Sequence, residues 1–202
     1  RGLRPAAFVG RADGPCRMID LHLIMGGVRS GKSSHAQALA QGAERDDSAR
    51  VVVLATALGA DAEMRARIER HRAERPAHWR AIEIEPSERG LGDAIASQAR
   101  PGTALLVDCT TLWLSQLICP PAGVAAVDAS LACAHGLSAL AAAEGRAIVV
   151  GNEIGLGVMP IDAATRRVVD ALGHFHQALA RSAREVTWMV AGLPLVVKGA
   201  GR

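Results

Sequence analysis

The tightest constraint on this chain is a spacing. Gly26-Gly27-Val28-Arg29-Ser30-Gly31-Lys32-Ser33 reads G-x-x-x-x-G-K-S. The apolar run Ile19 to Met25 precedes it, which suits a buried strand entering a turn. A helix is expected from near Lys32 through Gln41, with Gly42 near its end. Strand, glycine loop and helix in that order form a phosphate cradle. The glycines let consecutive backbone N–H groups turn onto phosphate oxygens, and the helix N-terminus adds its positive dipole. Lys32 is placed to reach the β- and γ-phosphates, and the Ser33 hydroxyl to ligate Mg²⁺.

The rest of the chain repeats the alternation. Val51 to Ala55, Ala104 to Val107 and Ala147 to Val150 are short apolar runs of the kind found in parallel strands. Ile82 and Ile84 suit a short edge strand. Val186 to Val190 and Leu195 to Val197 suit two closing strands. Helices are expected over Asp61 to Arg75, Leu91 to Gln98, Leu112 to Leu117, Val127 to Ala143 and Ala163 to Ala183, with breaks at Pro76 and Pro120-Pro121. This predicts an α/β P-loop NTPase domain, a mostly parallel sheet flanked by helices, over residues 18–202. Residues 1–17 are rich in Arg, Gly and Pro without periodicity. They are expected to be an unstructured extension or an upstream start-site artefact. Ligands in such sheets gather at the carboxyl ends of the strands, which brings the segments after Met25, Ala55, Val107 and Val150 around one site.

Composition removes several alternatives. Aromatic residues are 2% of the 202 and Tyr is absent, so base-stacking platforms for single-stranded nucleic acid are not expected. A net charge of +3 with both signs interspersed implies no polyanion partner. Cys16, Cys109, Cys119 and Cys133 show no CxxC or zinc spacing, and Cys109 and Cys133 lie in apolar stretches. That pattern fits a reducing compartment, here the cytoplasm. No apolar run reaches membrane-spanning length.

Asp108 ends the ALLV strand. It reads either as a carboxylate on the Mg²⁺ side of the nucleotide or as a helix N-cap before Leu112. Asn152 and Glu153 follow Val150 into the same cleft; Glu153 can bind Mg²⁺, accept a substrate proton or cap the next segment. His71 lies among Arg67, Arg70, Arg72 and Arg75. Such a run is usually a solvated helix face, yet cations beside an imidazole favour its neutral, nucleophilic form. His78, His135, His174 and His176 read as surface or packing residues.

Taken together, the segments resemble the bifunctional adenosylcobinamide kinase/adenosylcobinamide-phosphate guanylyltransferases. The resemblance rests on Gly26 to Ala36 (GGVRSGKSSHA), Ala55-Thr56-Ala57, Asp61 to Trp79 (DAEMRARIERHRAERPAHW), Val107 to Leu114 (VDCTTLWL), Asn152 to Pro160 (NEIGLGVMP) and Ala191 to Lys198 (AGLPLVVK). It covers Met18 to about Lys198. It implies a RecA-like sheet, usually in a homotrimer with clefts between subunits. It implies phosphorylation of adenosylcobinamide by ATP or GTP, then transfer of GMP from GTP to the resulting phosphate through a guanylyl-histidine, with release of pyrophosphate. His71 stands at the matching place, beside an Arg70 where some relatives have a second histidine. His176 stands where relatives more often have Asn. The resemblance also implicates Ala55, Thr56, Ala57, Arg72, Ala73, Glu74, Arg75, Glu83 and Asp108 in nucleotide binding. Glu83 has the chemistry to accept from a guanine edge. The large corrinoid substrate needs an apolar cleft, for which Trp113, Leu156 and Met159 are candidates. The competing readings are a P-loop kinase of another small metabolite in which His71 is dispensable, a GTP-binding switch, and a degenerate nucleotide-binding subunit. No N-K-x-D guanine motif supports the switch, and the intact Lys32, Ser33, Asp108 and His71 weigh against the last.

Overall fold

The computed structural model of the chain describes residues 19–57, 62–120, 124–125 and 127–199, with Arg67 described by its backbone alone. The expected extension 1–17, Met18, the helix start at Asp61 and Pro121 lie outside these residues.

Seven strands form one sheet. In chain order they are β1 (Asp20–Gly26), β2 (Arg50–Ala55), β3 (Arg80–Glu83), β4 (Thr103–Asp108), β5 (Arg146–Asn152), β6 (Glu185–Val190) and β7 (Leu193–Lys198). Among the described residues six helices connect them: α1 (Lys32–Asp47), α2 (Ala62–Ala73), α3 (Gly90–Gln98), α4 (Thr110–Ile118), α5 (Ala129–Ala142) and α6 (Ala163–Ser182). The sheet order is β3-β2-β4-β5-β1-β6-β7, parallel throughout except for the β6–β7 hairpin. This is the mostly parallel, helix-flanked P-loop sheet the sequence predicts, and β3 is the edge strand expected from Ile82.

The strands read as unbroken apolar runs because both faces are covered. Leu21, Leu23, Val52, Leu54, Leu105, Val107 and Val149 point to one face, where α3 to α6 pack with Trp113, Leu117, Phe175 and Leu179. Ile24, Val51, Val53, Leu106 and Ile148 point to the other, against Ala36, Ala40 and Ala43 of α1 and Trp79. Small residues on α1 let its backbone sit close to the sheet.

Several boundaries shift for local reasons. α1 runs through Gly42 to Asp47, because Ala43 is buried against the sheet and Ser48, in a left-handed conformation, ends the helix. α5 starts at Ala129 rather than Val127. Its cap is Asp128, whose carboxylate accepts from Ser130 N and Leu131 N. Asp162 caps α6 in the same way through Ala164 N and Thr165 N.

Of the two readings open to His176, the structure shows packing. It is buried on α6, and its Nε2 lies 2.8 Å from Thr110 Oγ1. Burial lowers its pKa from the ordinary 6.5 to about 4. The unfolded chain therefore binds one more proton than the folded chain between those pH values. Stability due to this group is complete above pH 6.5 and is lost as pH falls toward 4. His22, desolvated between β5 and β6 with Glu185 partly offsetting, and the desolvated His35 act in the same direction. Chemical denaturation across this window is expected to show a slope that His176→Asn reduces, by up to roughly 1.4 kcal/mol per pH unit. An unchanged slope in the variant would contradict the buried neutral ring.

Candidate active site

The sheet register assembles the site. At the carboxyl ends, Glu83 of β3 pairs with Ala55 of β2, Ala55 with Asp108 of β4, and Asp108 with Val150 of β5. Two residues on, Asn152 pairs with Gly26 of β1. One row of strand tips thus carries four of the segments singled out from sequence.

The loop from Gly27 to Gly31 leaves β1 at this row. Gly26 has φ 148°, and a Cβ there would lie 2.7 Å from Met189 O. Gly31, at φ 90°, is the N-cap of α1 and offers no side-chain acceptor. The first-turn amides therefore stay open to an anion. The β6–β7 turn braces the loop, with Gly192 N donating to Ser30 O at 3.0 Å. A Cβ on Gly31 would come within 3.2 Å of Gly192 Cα. That contact gives the AGLPLVVK segment a reason to stand beside the cradle.

Lys32 is 8% exposed, and its Nζ donates to Asn152 Oδ1 at 2.9 Å, to Ser30 Oγ at 3.4 Å and to Gly27 O. Asn152 is held in turn by Thr111, whose Oγ1 accepts from Asn152 N at 2.8 Å. Ser33 Oγ donates to Asp108 Oδ1 at 3.3 Å, while Arg75 pairs with Asp108 Oδ2 at 3.3 Å. Asp108 does not cap α4. That position belongs to Cys109, which makes no side-chain cap bond. The Ser33 and Asp108 oxygens form the hard oxygen pair that suits Mg²⁺, which usually takes one or two protein ligands and completes its shell with phosphates and water. Among the described residues no cluster of three or more His, Cys, Asp or Glu could hold a metal by itself.

Two adjoining cavities meet at this row. The larger, about 440 Å³, is walled by the loop from Val28 to Ser34, by Asp108, Thr111 and Asn152, and by Glu63, Arg70, His71 and Glu74 of the α2 segment. The smaller, about 70 Å³, is walled by Ala55, Ala57, Arg72, Arg75, Glu83 and Asp108, among others, and by His71 again. The α2 residues divide by helical spacing. Glu63, Arg70 and Glu74 face one cavity; Met64, Ile68 and Arg75 face the other; His71 borders both. Arg72 pairs with Glu83 at 2.9 Å. No described residue of α2 is buried, and ion pairs from Arg72 to Glu83 and from Arg75, just beyond the helix, to Asp108 tie the segment to the strand tips.

Residues 22–197 match the profile of the family described as "Cobinamide kinase / cobinamide phosphate guanyltransferase". The chain belongs to this family. It is 45% identical over 180 residues to the "Bifunctional adenosylcobalamin biosynthesis protein CobP" of Pseudomonas aeruginosa, covering 88% of this chain and 96% of that protein. It is 32% identical over 188 residues to the "Bifunctional adenosylcobalamin biosynthesis protein CobU" of Escherichia coli, covering 87% and 98%. A solved structure from Pyrococcus horikoshii OT3 overlays with a TM-score of 0.51 at 10% identity, over 92% of this chain and 89% of that one. That likeness bears on the fold alone.

Within this cobinamide kinase/guanyltransferase chain, most residues singled out from sequence converge on the two cavities, and a few do not. Thr56 is buried and acts as a strut, accepting from Cys109 N at 2.8 Å and donating to Cys109 O at 2.7 Å. Ala73 lines neither cavity. Glu153 is spent locally, its Oε1 accepting from Gly155 N at 2.6 Å. Trp113 is 1% exposed and packs at a tilt against Phe175 in the core, ring centroids 5.5 Å apart, so it cannot line a corrinoid cleft. Leu156 and Met159 are exposed, together with Val158 and Ile161. Glu63, Arg70, Thr111 and Leu112 were not singled out as site residues. Arg70 lies four residues before Glu74 and Glu63 seven before Arg70, so helical spacing from Glu74 would have found both. Cys133 is a half-buried thiol with its pKa pushed up to about 12 by desolvation.

Proposed function

We infer that the chain carries out both reactions its family is named for. It phosphorylates adenosylcobinamide with ATP or GTP, then transfers GMP from GTP to adenosylcobinamide phosphate, releasing pyrophosphate, as a step of adenosylcobalamin biosynthesis. The observation that carries this reading is the single cavity shared by the phosphate loop and His71. A nucleotide whose terminal phosphates lie on the loop can present its α-phosphorus to the same space.

In this mechanism backbone groups of Gly27 to Ser33 bind the triphosphate, and Lys32 leaves Asn152 for the phosphate oxygens, neutralising charge that develops on them. Ser33 and Asp108 would hold Mg²⁺, which when bound supplies further neutralisation at those oxygens. Arg75, now on Asp108, is in reach of the nucleotide once that carboxylate is engaged. His71 attacks the α-phosphorus, and the covalent step splits a transfer between two anions into two easier displacements. Glu83 and Arg72 would bind the base side, from the smaller cavity. Asn152, freed from Lys32, is the candidate to orient the acceptor.

The finer assignments follow from the same reading. The exposed apolar loop carrying Leu156, Val158, Met159 and Ile161, and the exposed β7 residues Leu193, Leu195 and Val197, are surface that a homotrimer or the corrinoid would cover. The cytoplasm is the compartment where ATP and GTP are supplied. No helix among the described residues is long and apolar enough to cross a membrane.

Purified protein given adenosylcobinamide, ATP, GTP and Mg²⁺ should yield adenosylcobinamide phosphate and then adenosylcobinamide-GDP by mass spectrometry. Accumulation of the phosphate alone, with GTP intact, would favour the plain kinase.

A further inference from the structure

Resting on the reading of His71 as the guanylyl acceptor, we propose that Glu74 is its positioning residue, accepting the His71 Nδ1–H and leaving the Nε2 lone pair for the α-phosphorus. Three observations lead there. His71 Nδ1 is buried from solvent and has no hydrogen-bond partner. Leaving a buried polar group unpaired costs about 1–3 kcal/mol. Among the described residues the carboxylate paired with it is Glu74, whose Oε2 lies 3.6 Å from that nitrogen, one helical turn on. The turn itself is closed, because Glu74 N donates to Arg70 O at 3.0 Å, so the spacing is set by backbone.

Three neighbouring cations have other partners. Arg72 holds Glu69 and Glu83, Arg75 holds Asp108, and Arg70 Nε donates to Ala66 O. Among the described residues, Glu74 pairs with His71 alone. Its side chain is 59% exposed, so a small rotation closes the gap without disturbing the core. Both residues wall the phosphate-loop cavity.

The pairing matters because only one ring nitrogen can attack. With the proton on Nδ1, the Nε2 lone pair forms the N–P bond. The bond from the α-phosphorus to the bridging oxygen breaks, and pyrophosphate leaves with that electron pair. No proton has to move. The guanylylated ring keeps Nδ1–H and carries a positive charge, which the Glu74 carboxylate stabilises. When a phosphate oxygen of the acceptor attacks phosphorus, the N–P bond breaks and neutral imidazole is the leaving group. An orienting carboxylate sets tautomer and ring angle in this way wherever histidine acts as base or ligand.

The test uses full-length protein labelled with ¹⁵N-histidine, with His71→Ala to assign the resonance. Wild type should show His71 with the proton on Nδ1. In Glu74→Ala the proton should shift toward Nε2, and the single-turnover rate of labelling by α-phosphate-labelled GTP, at saturating nucleotide, should fall about 10–100-fold. The same tautomer and the same rate in Glu74→Ala would overturn the proposal. Wild-type protein whose tautomer follows Glu74 but which never takes label would overturn the guanylyl-histidine reading instead.

Discussion

Replacing Lys32 with alanine should lower kcat for phosphorylation of adenosylcobinamide by about 10²–10³-fold, the scale of removing one fixed donor from a developing negative charge. Lys32 is nearly buried, and its ammonium is held by Asn152, Ser30 and Gly27 at the mouth of the cavity, aimed where the terminal phosphates would lie. The fold should survive. The position opens α1, where alanine is a good helix former, and water entering the cavity can satisfy the oxygens left behind. Arginine should not rescue the loss, because its planar fork cannot occupy a niche shaped for a compact charge. Guanylyl transfer should weaken too, since both reactions share the cradle. Rates within tenfold of wild type would remove Lys32 from the mechanism.

Replacing His71 with alanine should separate the two reactions. Adenosylcobinamide phosphate should still form from ATP, because the loop, Ser33 and Asp108 are untouched. Conversion to adenosylcobinamide-GDP should fall by about 10⁴-fold or more, the scale on which the loss of a covalent nucleophile is felt. The side chain is 30% exposed and belongs to a helix with no buried described residue, so its removal should leave the sheet unaltered. Mass spectrometry of the two products over time reads the split. Guanylyl transfer at near wild-type rate would make direct attack on GTP the mechanism and return His71 to an ordinary helix face.

The parts of this molecule that could be read from sequence are those fixed by local pattern. Apolar runs such as VVVLA and ALLV are buried on both faces, and G-x-x-x-x-G-K-S bends as its glycines require. Strand-end rules placed Asp108 and Asn152 correctly because parallel register aligns the tips. Sheet register and tertiary contact were not legible. That Asn152 holds Lys32, that Arg75 crosses to Asp108, and that Thr56 clasps Cys109 are meetings of residues 53 to 120 positions apart, or 33 for Arg75. Trp113 misled for a related reason. An amphipathic helix shows which residues are apolar but not whether a given one faces the core or a cleft, and the pairing with Phe175 decides that. Of the roles open to Glu153 in the sequence, the structure shows the local one, its Oε1 accepting the backbone N–H of Gly155. The α2 segment is legible as a helix, while the division of its faces between two cavities, with His71 on the border, depends on where the helix rests.

The most direct measurement of the central claim is covalent. The protein, with Mg²⁺ and GTP labelled at the α-phosphate, should retain label after denaturation. That label should be acid-labile and base-stable, as a phosphoramidate is, and it should be absent from His71→Ala. An active, nucleotide-binding preparation that takes up no label, or label that persists in His71→Ala, would contradict the account.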